Sequence, residues 1–224
     1  MYWKSSAPGV SNAGIGFPVV ERLPWARLTP DTRPMNMTSP SYLKHHFLLA
    51  MPHMADENFA HTLIYLCEHN ADGAMGLIIN QPSELNLAEV IGQLAPDQQA
   101  LPAALFTQNV FSGGPVETER GFVLHDDPRP WDATADLGEL RLTTSRDILL
   151  AMAEGDGPEH TLIALGYAGW DAGQLDQELI DNVWLSCPAD QQILFDLPPA
   201  QRLQAAARSL GIDLGQLSSQ SGHA

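Results

Sequence analysis

The chain has 224 residues, 44% hydrophobic and 17% charged, an ordinary globular composition with enough length for one sizeable core. Its formal net charge is −16, unevenly spread: residues 1–36 hold four basic and two acidic side chains, the remainder seven basic and 25 acidic. A body this acidic repels phosphate backbones and offers little material for a basic patch, so direct DNA or RNA binding is not expected.

The longest wholly apolar run, 148–153, is far shorter than the roughly 18 residues a spanning helix needs, so no membrane association is expected. Cys67 and Cys187 lie far apart and form no C-x-x-C pair, which favours a reducing compartment, the cytoplasm by default. Residues 1–36 carry five prolines and sustain no helical or strand period. They read as a disordered or non-native extension, with Met35 and Met37 as alternative starts.

From Tyr42 the pattern becomes regular. Residues 46–51 predict a strand stopped by Pro52, 62–69 a second, and 74–80 a third, the last two joined by Asn70-Ala71-Asp72-Gly73 as a hairpin. Leu87, Val90, Ile91 and Leu94 give 86–94 one apolar helical face. Two strands are expected around Gly113-Gly114-Pro115, the second over 120–125, followed by a loop over 128–138 and a strand over 140–143. Thr144 and Asp147 suggest a capping box for a helix carrying Ile148, Leu149 and Met152. Residues 161–167 predict a strand entering a glycine turn, with Asp171 as N-cap of the next helix. A last strand over 184–187, a short helix over 190–195 and a helix from Pro199 to Gly211 complete the body; the tail from Ser218 reads as loose. Early strands adjoin through hairpins rather than crossover helices, which favours an α+β fold.

Two stretches carry the residues most suited to a site: FSGGPVETERGFVLH at 111–125 and GYAGWDAGQL at 166–175. Gly113, Gly114 and Pro115 read either as a backbone anion nest or as a tight inter-strand turn. Arg120 is suited to clamp a carboxylate or phosphate, or equally to an internal salt bridge with Glu117, Glu119 or Asp126. His125 is an acid/base candidate or a hydrogen-bonded structural histidine. Ser112 lacks the G-x-S-x-G elbow of a nucleophile. Gly166 and Gly169 adjoin a helix start, while Tyr167, Trp170 and Gln174 offer an aromatic wall and an amide, or else an aromatic corner packing helix on sheet. Their spacing is not a dinucleotide fingerprint. Cys67 and His69, two apart on one strand, would share a face; Cys67 is either a redox-responsive thiol or a buried inert one. The histidines form no H-x-x-x-H, and neither metal nor cofactor is expected.

The motifs FLLAMPHM at 47–54, TLIYLCEHNADGAMGLIIN at 62–80, GGPV at 113–116, RGFVLH at 120–125, GYAGWDAGQL at 166–175 and ELIDNVWLSCPAD at 178–190 together resemble the AlgH/YqgE family of small bacterial proteins. The resemblance spans the chain from about Met37 and has no counterpart for 1–36. The family's GQLE run stands here as Gly173-Gln174-Leu175-Asp176, which leaves the role of that carboxylate open. The resemblance implies a single α+β domain over 37–217, with a mixed, mostly antiparallel, bifurcated sheet curled into a partial barrel and flanked by helices, and a loose tail over 218–224. The family is chiefly described as uncharacterised, with a transcriptional role attached to some members. Two functions follow as expectations. One is a binding module that regulates indirectly, through an unidentified protein or a small anionic ligand. The other is a small-molecule hydrolase using the Gly113-Gly114, Arg120 and His125 region.

Overall fold

A computed structural model describes residues 42–96 and 100–214. The expected leader over 1–36 and tail over 218–224 lie outside these residues.

The strands are β1 (His46–Ala50), β2 (Leu63–Asn70), β3 (Gly73–Ile78), β4 (Pro82–Asn86), β5 (Asn109–Ser112), β6 (Val116–His125), β7 (Thr134–Leu137), β8 (Leu140–Thr143), β9 (Thr161–Asp171) and β10 (Trp184–Pro188). The helices are α1 (Leu87–Leu94), α2 (Asp147–Glu154), α3 (Gln174–Ile180) and α4 (Pro199–Ser209). The strands form one sheet in the order β10-β1-β2-β3-β9-β6-β8-β7, with β5 added parallel to β9 and β4 paired to β5. The other pairings are antiparallel, as the hairpin reading required.

The sheet is buried on both faces, which is why β2 is an almost unbroken apolar run rather than an alternating one. Leu63, Tyr65 and Cys67 face the concave interior with Phe47, Phe111, Phe122 and Leu124, closed off by Leu194, Ala206 and Ala207 from the C-terminal region. Ile64 and Leu66 face outward, against Leu175 of α3 and the indoles of Trp170 and Trp184. A third cluster lies under α1 and α2, where Val90, Ile91, Ile148 and Leu149 cover Val110, Val123 and Ile163.

The joint between the two halves of the sheet lies on β9. Residues 161–165 of β9 run between β6 and β5, whereas 168–171 run beside β3. Gly166, at φ +73°, is the residue where β9 changes partners. Gly113 fills the fork: its N–H donates to the Leu165 carbonyl at 2.7 Å, and its carbonyl accepts from Ile78 N–H at 2.8 Å. A Cβ on Gly114 would lie 2.2 Å from the Tyr167 carbonyl carbon, and one on Gly166 2.4 Å from the Gly114 oxygen. Only glycine allows backbones to approach this closely.

Several local expectations are corrected. Asn86 caps α1 through a capping box with Glu89, but α2 has no side-chain cap; its N-cap is Arg146, and Asp147 lies inside the first turn. Asp171 belongs to β9, and α3 starts after Gly173 in the left-handed region. The expected loop over 128–138 contains β7, and an unexpected strand, β4, begins at Pro82. Residues Gln192–Asp196 form a π-helical turn where a short α-helix was expected.

Candidate functional site

The two motif stretches do meet, through Val116 paired with Tyr167 and through the glycine backbones just described. Their contact is backbone against backbone. The N–H of Gly113 is already donated to Leu165, so that donor serves the joint of the sheet and is not free to bind an anion. Ser112 is exposed at the end of β5, while His125 is wholly buried at the far end of β6. Ser112 pairs with Leu165 and His125 with Thr161, four residues apart on β9, or about 13 Å. No serine–histidine dyad is formed.

His125 Nε2 lies 2.9 Å from Thr143 Oγ1, which lies 2.7 Å from Thr134 Oγ1, which donates to the Trp131 carbonyl at 3.0 Å. Among the described residues the buried Nδ1 of His125 has no hydrogen-bond partner of good geometry. Burial lowers the His125 pKa, keeping the ring neutral.

The aromatic wall is divided between faces. Tyr167 packs edge-on against Phe122 at 5.8 Å toward the concave interior, where Gly169 gives its ring room. Trp170 lies on the outer face, and its indole N–H donates to Glu178 Oε2 at 2.9 Å. The Trp184 indole donates to the same oxygen at 2.8 Å, and Gln174 Nε2 donates to Glu178 Oε1 at 2.9 Å. Gln174 in turn accepts from the Asp171 N–H. Glu178, not singled out in the sequence, is thus the hub that fastens α3 to the sheet.

Cys67 and His69 do not share a face. A β-bulge between Leu66 and Glu68 inserts one extra residue, so Cys67 points into the concave core while His69 pairs beside Ala74 toward α3. Burial pushes the Cys67 thiol up, the opposite of an activated thiolate. His69 Nδ1 accepts the Leu43 N–H at 3.0 Å, which places its proton on Nε2, 3.5 Å from Asp176 Oδ2. The shortened carboxylate of the GQLD run therefore lies beside a buried histidine.

A cleft that local spacing did not point to lies where the two ends of the curled sheet approach. Its walls come from the β7–β8 turn, Leu137 to Leu140, and from the chain just after β10, Ala189 to Gln191 and Leu194. His45 and Tyr65 complete it, around a volume of about 270 Å³. His45 has φ +63°, uncommon for a non-glycine residue. Its backbone is pinned on both sides: its N–H donates to Leu66 and its carbonyl accepts from Ala189. Its Nδ1 lies 3.1 Å from the Tyr65 hydroxyl. Burial, aided by Lys44, lowers the His45 pKa, and burial raises that of Tyr65, so both groups are neutral. Gln191 Nε2 donates to Glu139 Oε2 at 3.1 Å across the seam. A neutral imidazole, a protonated phenol, two carboxylates (Glu139 and Asp190) and an amide above leucine walls suit hydrogen-bonded recognition of a small polar group. Long-range folding assembles this set from four separate segments, which is why sequence spacing gave no sign of it.

Among the described residues, no helix is long and apolar enough to cross a membrane, and no group of three or more His, Cys, Asp or Glu side chains is placed to hold a metal ion.

Residues 47–215 match the AlgH-like family model, DUF179. The chain is 63% identical over 190 residues to a UPF0301 protein of Stutzerimonas stutzeri, and 61% identical over 191 residues to the UPF0301 protein AlgH of Pseudomonas aeruginosa. Each match covers 85% of this chain and all of the relative. The solution structure of the Pseudomonas aeruginosa AlgH protein superposes with a TM-score of 0.69 at 60% identity, covering 85% of this chain and all of that one. The crystal structure of protein DIP2367 from Corynebacterium diphtheriae, 22% identical, shares the fold with a TM-score of 0.61 over 82% of this chain and 94% of its own. With its curled, mostly antiparallel sheet and flanking helices, the chain belongs to the AlgH-like family.

Proposed function

We propose that this protein is a cytoplasmic binding module that receives a small polar ligand, or a polar side chain of a protein partner, in the seam cleft. Any influence on transcription is then exerted indirectly, through that partner, because the acidic body repels nucleic acid. The observation that carries this reading is the His45–Tyr65 pair. A histidine in the left-handed region, its backbone hydrogen-bonded on both sides, holds polar atoms at the wall of the cleft. The hydrolytic reading has less support, since the histidine it needs is buried and remote from Ser112.

The test is a fragment screen by ligand-observed NMR on wild type and two variants. Tyr65→Phe removes only the hydroxyl and is expected to weaken cleft ligands about five- to tenfold, the worth of one hydrogen bond. Ala189→Trp fills the space and is expected to abolish binding of the same fragments. Fragments that bind both variants as tightly as wild type would place recognition elsewhere.

A further inference from the structure

Arg120 has a guanidinium that is nearly enclosed and only partly used. Its side chain is 14% exposed, and Nη1 alone is paired, to Glu117 Oε2 at 2.8 Å. Nε and Nη2, the edge that grips a planar anion with two parallel hydrogen bonds, are buried and have no partner among the described residues. Leaving such donors unmade in a core is expensive and calls for an explanation. The group lies over the Phe122 ring at 5.6 Å, on the concave face of the sheet.

A second observation points the same way. Phe111, Ala164 and Phe122 form one cross-strand row on that face. Arg202 lies over Phe111 at 5.0 Å, so the row carries a guanidinium above each of its two phenyl rings. The strand spacing puts the two phenylalanine Cα atoms about 10 Å apart. Among the described residues, Arg202 donates to the carbonyls of Leu197 and Ile79 and has no carboxylate partner. Among the described residues, these two enclosed cations of a strongly acidic protein have one paired carboxylate between them, Glu117 beside Arg120, itself 46% exposed. Glu117 stands at φ +47° in the bulge of residues 117–120, where β6 leaves β9 between Val116 and Gly121.

We propose that Arg120 anchors a carboxylate-binding site on the concave face, with its Nε–Nη2 edge taking the ligand and Glu117 acting as the gate. A carboxylate fits better than a phosphate because it carries one charge into an apolar setting and because the Nη1 position already holds one. The site shares no residue with the seam cleft, so either proposal stands without the other. A small organic acid and the C-terminus of a peptide present the same group.

The amide resonances of Gly121 and Phe122 report binding during titration with sodium acetate, sodium chloride at matched ionic strength, inorganic phosphate, and a tripeptide with a free or an amidated C-terminus. The expected result is a saturable shift with acetate that chloride does not reproduce. Glu117→Gln should tighten acetate about fivefold by removing a like charge, and Arg120→Gln should abolish the shift. Stronger binding of the free tripeptide than of acetate would identify a peptide end as the source. Equal binding of the amidated peptide, tighter binding of phosphate, or a shift unchanged in Arg120→Gln would overturn the proposal. If Arg120→Gln does not fold, Glu117→Gln decides alone: tightening supports the site, and unchanged or weaker binding overturns it.

Discussion

Gly114→Ala is expected to destabilise the protein by at least ~4 kcal/mol, from backbone strain and overpacking together, a large fraction of the roughly 5–15 kcal/mol that holds a domain folded. Gly114 sits at φ +153°, where a side chain is strained whatever the space, and its Cβ would meet the Tyr167 carbonyl carbon at 2.2 Å and its oxygen at 2.3 Å. Those atoms are backbone of β9 at the point where it changes partners, so the clash is relieved only by parting the two halves of the sheet. The comparison that isolates this cause is Gly173→Ala. Gly173 also has positive φ, +73°, but a Cβ there meets nothing within 4 Å, so the expected cost is only about 1 kcal/mol. Urea unfolding followed by far-UV circular dichroism measures both. Similar modest losses for the two variants would show that the corner yields easily.

Glu178→Ala is expected to cost about 3–5 kcal/mol. Three donors converge on this carboxylate, and hydrogen bonds to a charged group are worth about 1.5–3 kcal/mol each, without strict additivity. Removal leaves the indole N–H groups of two buried tryptophans, Trp170 and Trp184, without an acceptor. Phe59 packs against both rings, so the indoles cannot swing out to water cheaply. Glu178→Gln keeps one oxygen for the indoles but turns an amide nitrogen toward Gln174 Nε2, donor against donor. It should lose less than half as much. If Glu178→Ala and Glu178→Gln give the same urea midpoint, the carboxylate is not the fastening the geometry implies.

Much of the fold was legible because its signals are local. The Asn70-Ala71-Asp72-Gly73 turn marked the β2–β3 hairpin, Asn86 opened α1, and Pro199 and Gly211 bracketed α4. What escaped depends on partners distant in sequence. Pro82 begins β4, which among the described residues pairs with β5 alone; an edge strand tolerates a residue that cannot donate. Gly166 and Gly169 read as the end of a strand, but Gly166 lets β9 bend from β6 to β3 without breaking. The bulge at Leu66 and Glu68 put Cys67 and His69 on opposite faces, and only the register against β3 reveals it. Arg120 was visible as a scarce cation; Arg202, its counterpart along the same row, lies on α4 and was not singled out. Seam residues 45, 65, 139 and 191 carry no common spacing.

At the joint of β3, β5, β6 and β9 the glycine-rich motifs build a rigid corner, with the proposed carboxylate site of Arg120 beside it. Native-state amide hydrogen exchange tests this most directly. The N–H groups of Ile78 and Gly113, which close the fork at 2.8 and 2.7 Å, should exchange only by global unfolding, with the same free energy as urea denaturation. The N–H of Glu139, on the exposed lip of the seam, should exchange orders of magnitude faster. Corner amides that exchange as fast as the lip would mean that the glycine stretches form a mobile binding loop, and the structural role assigned to them would be wrong.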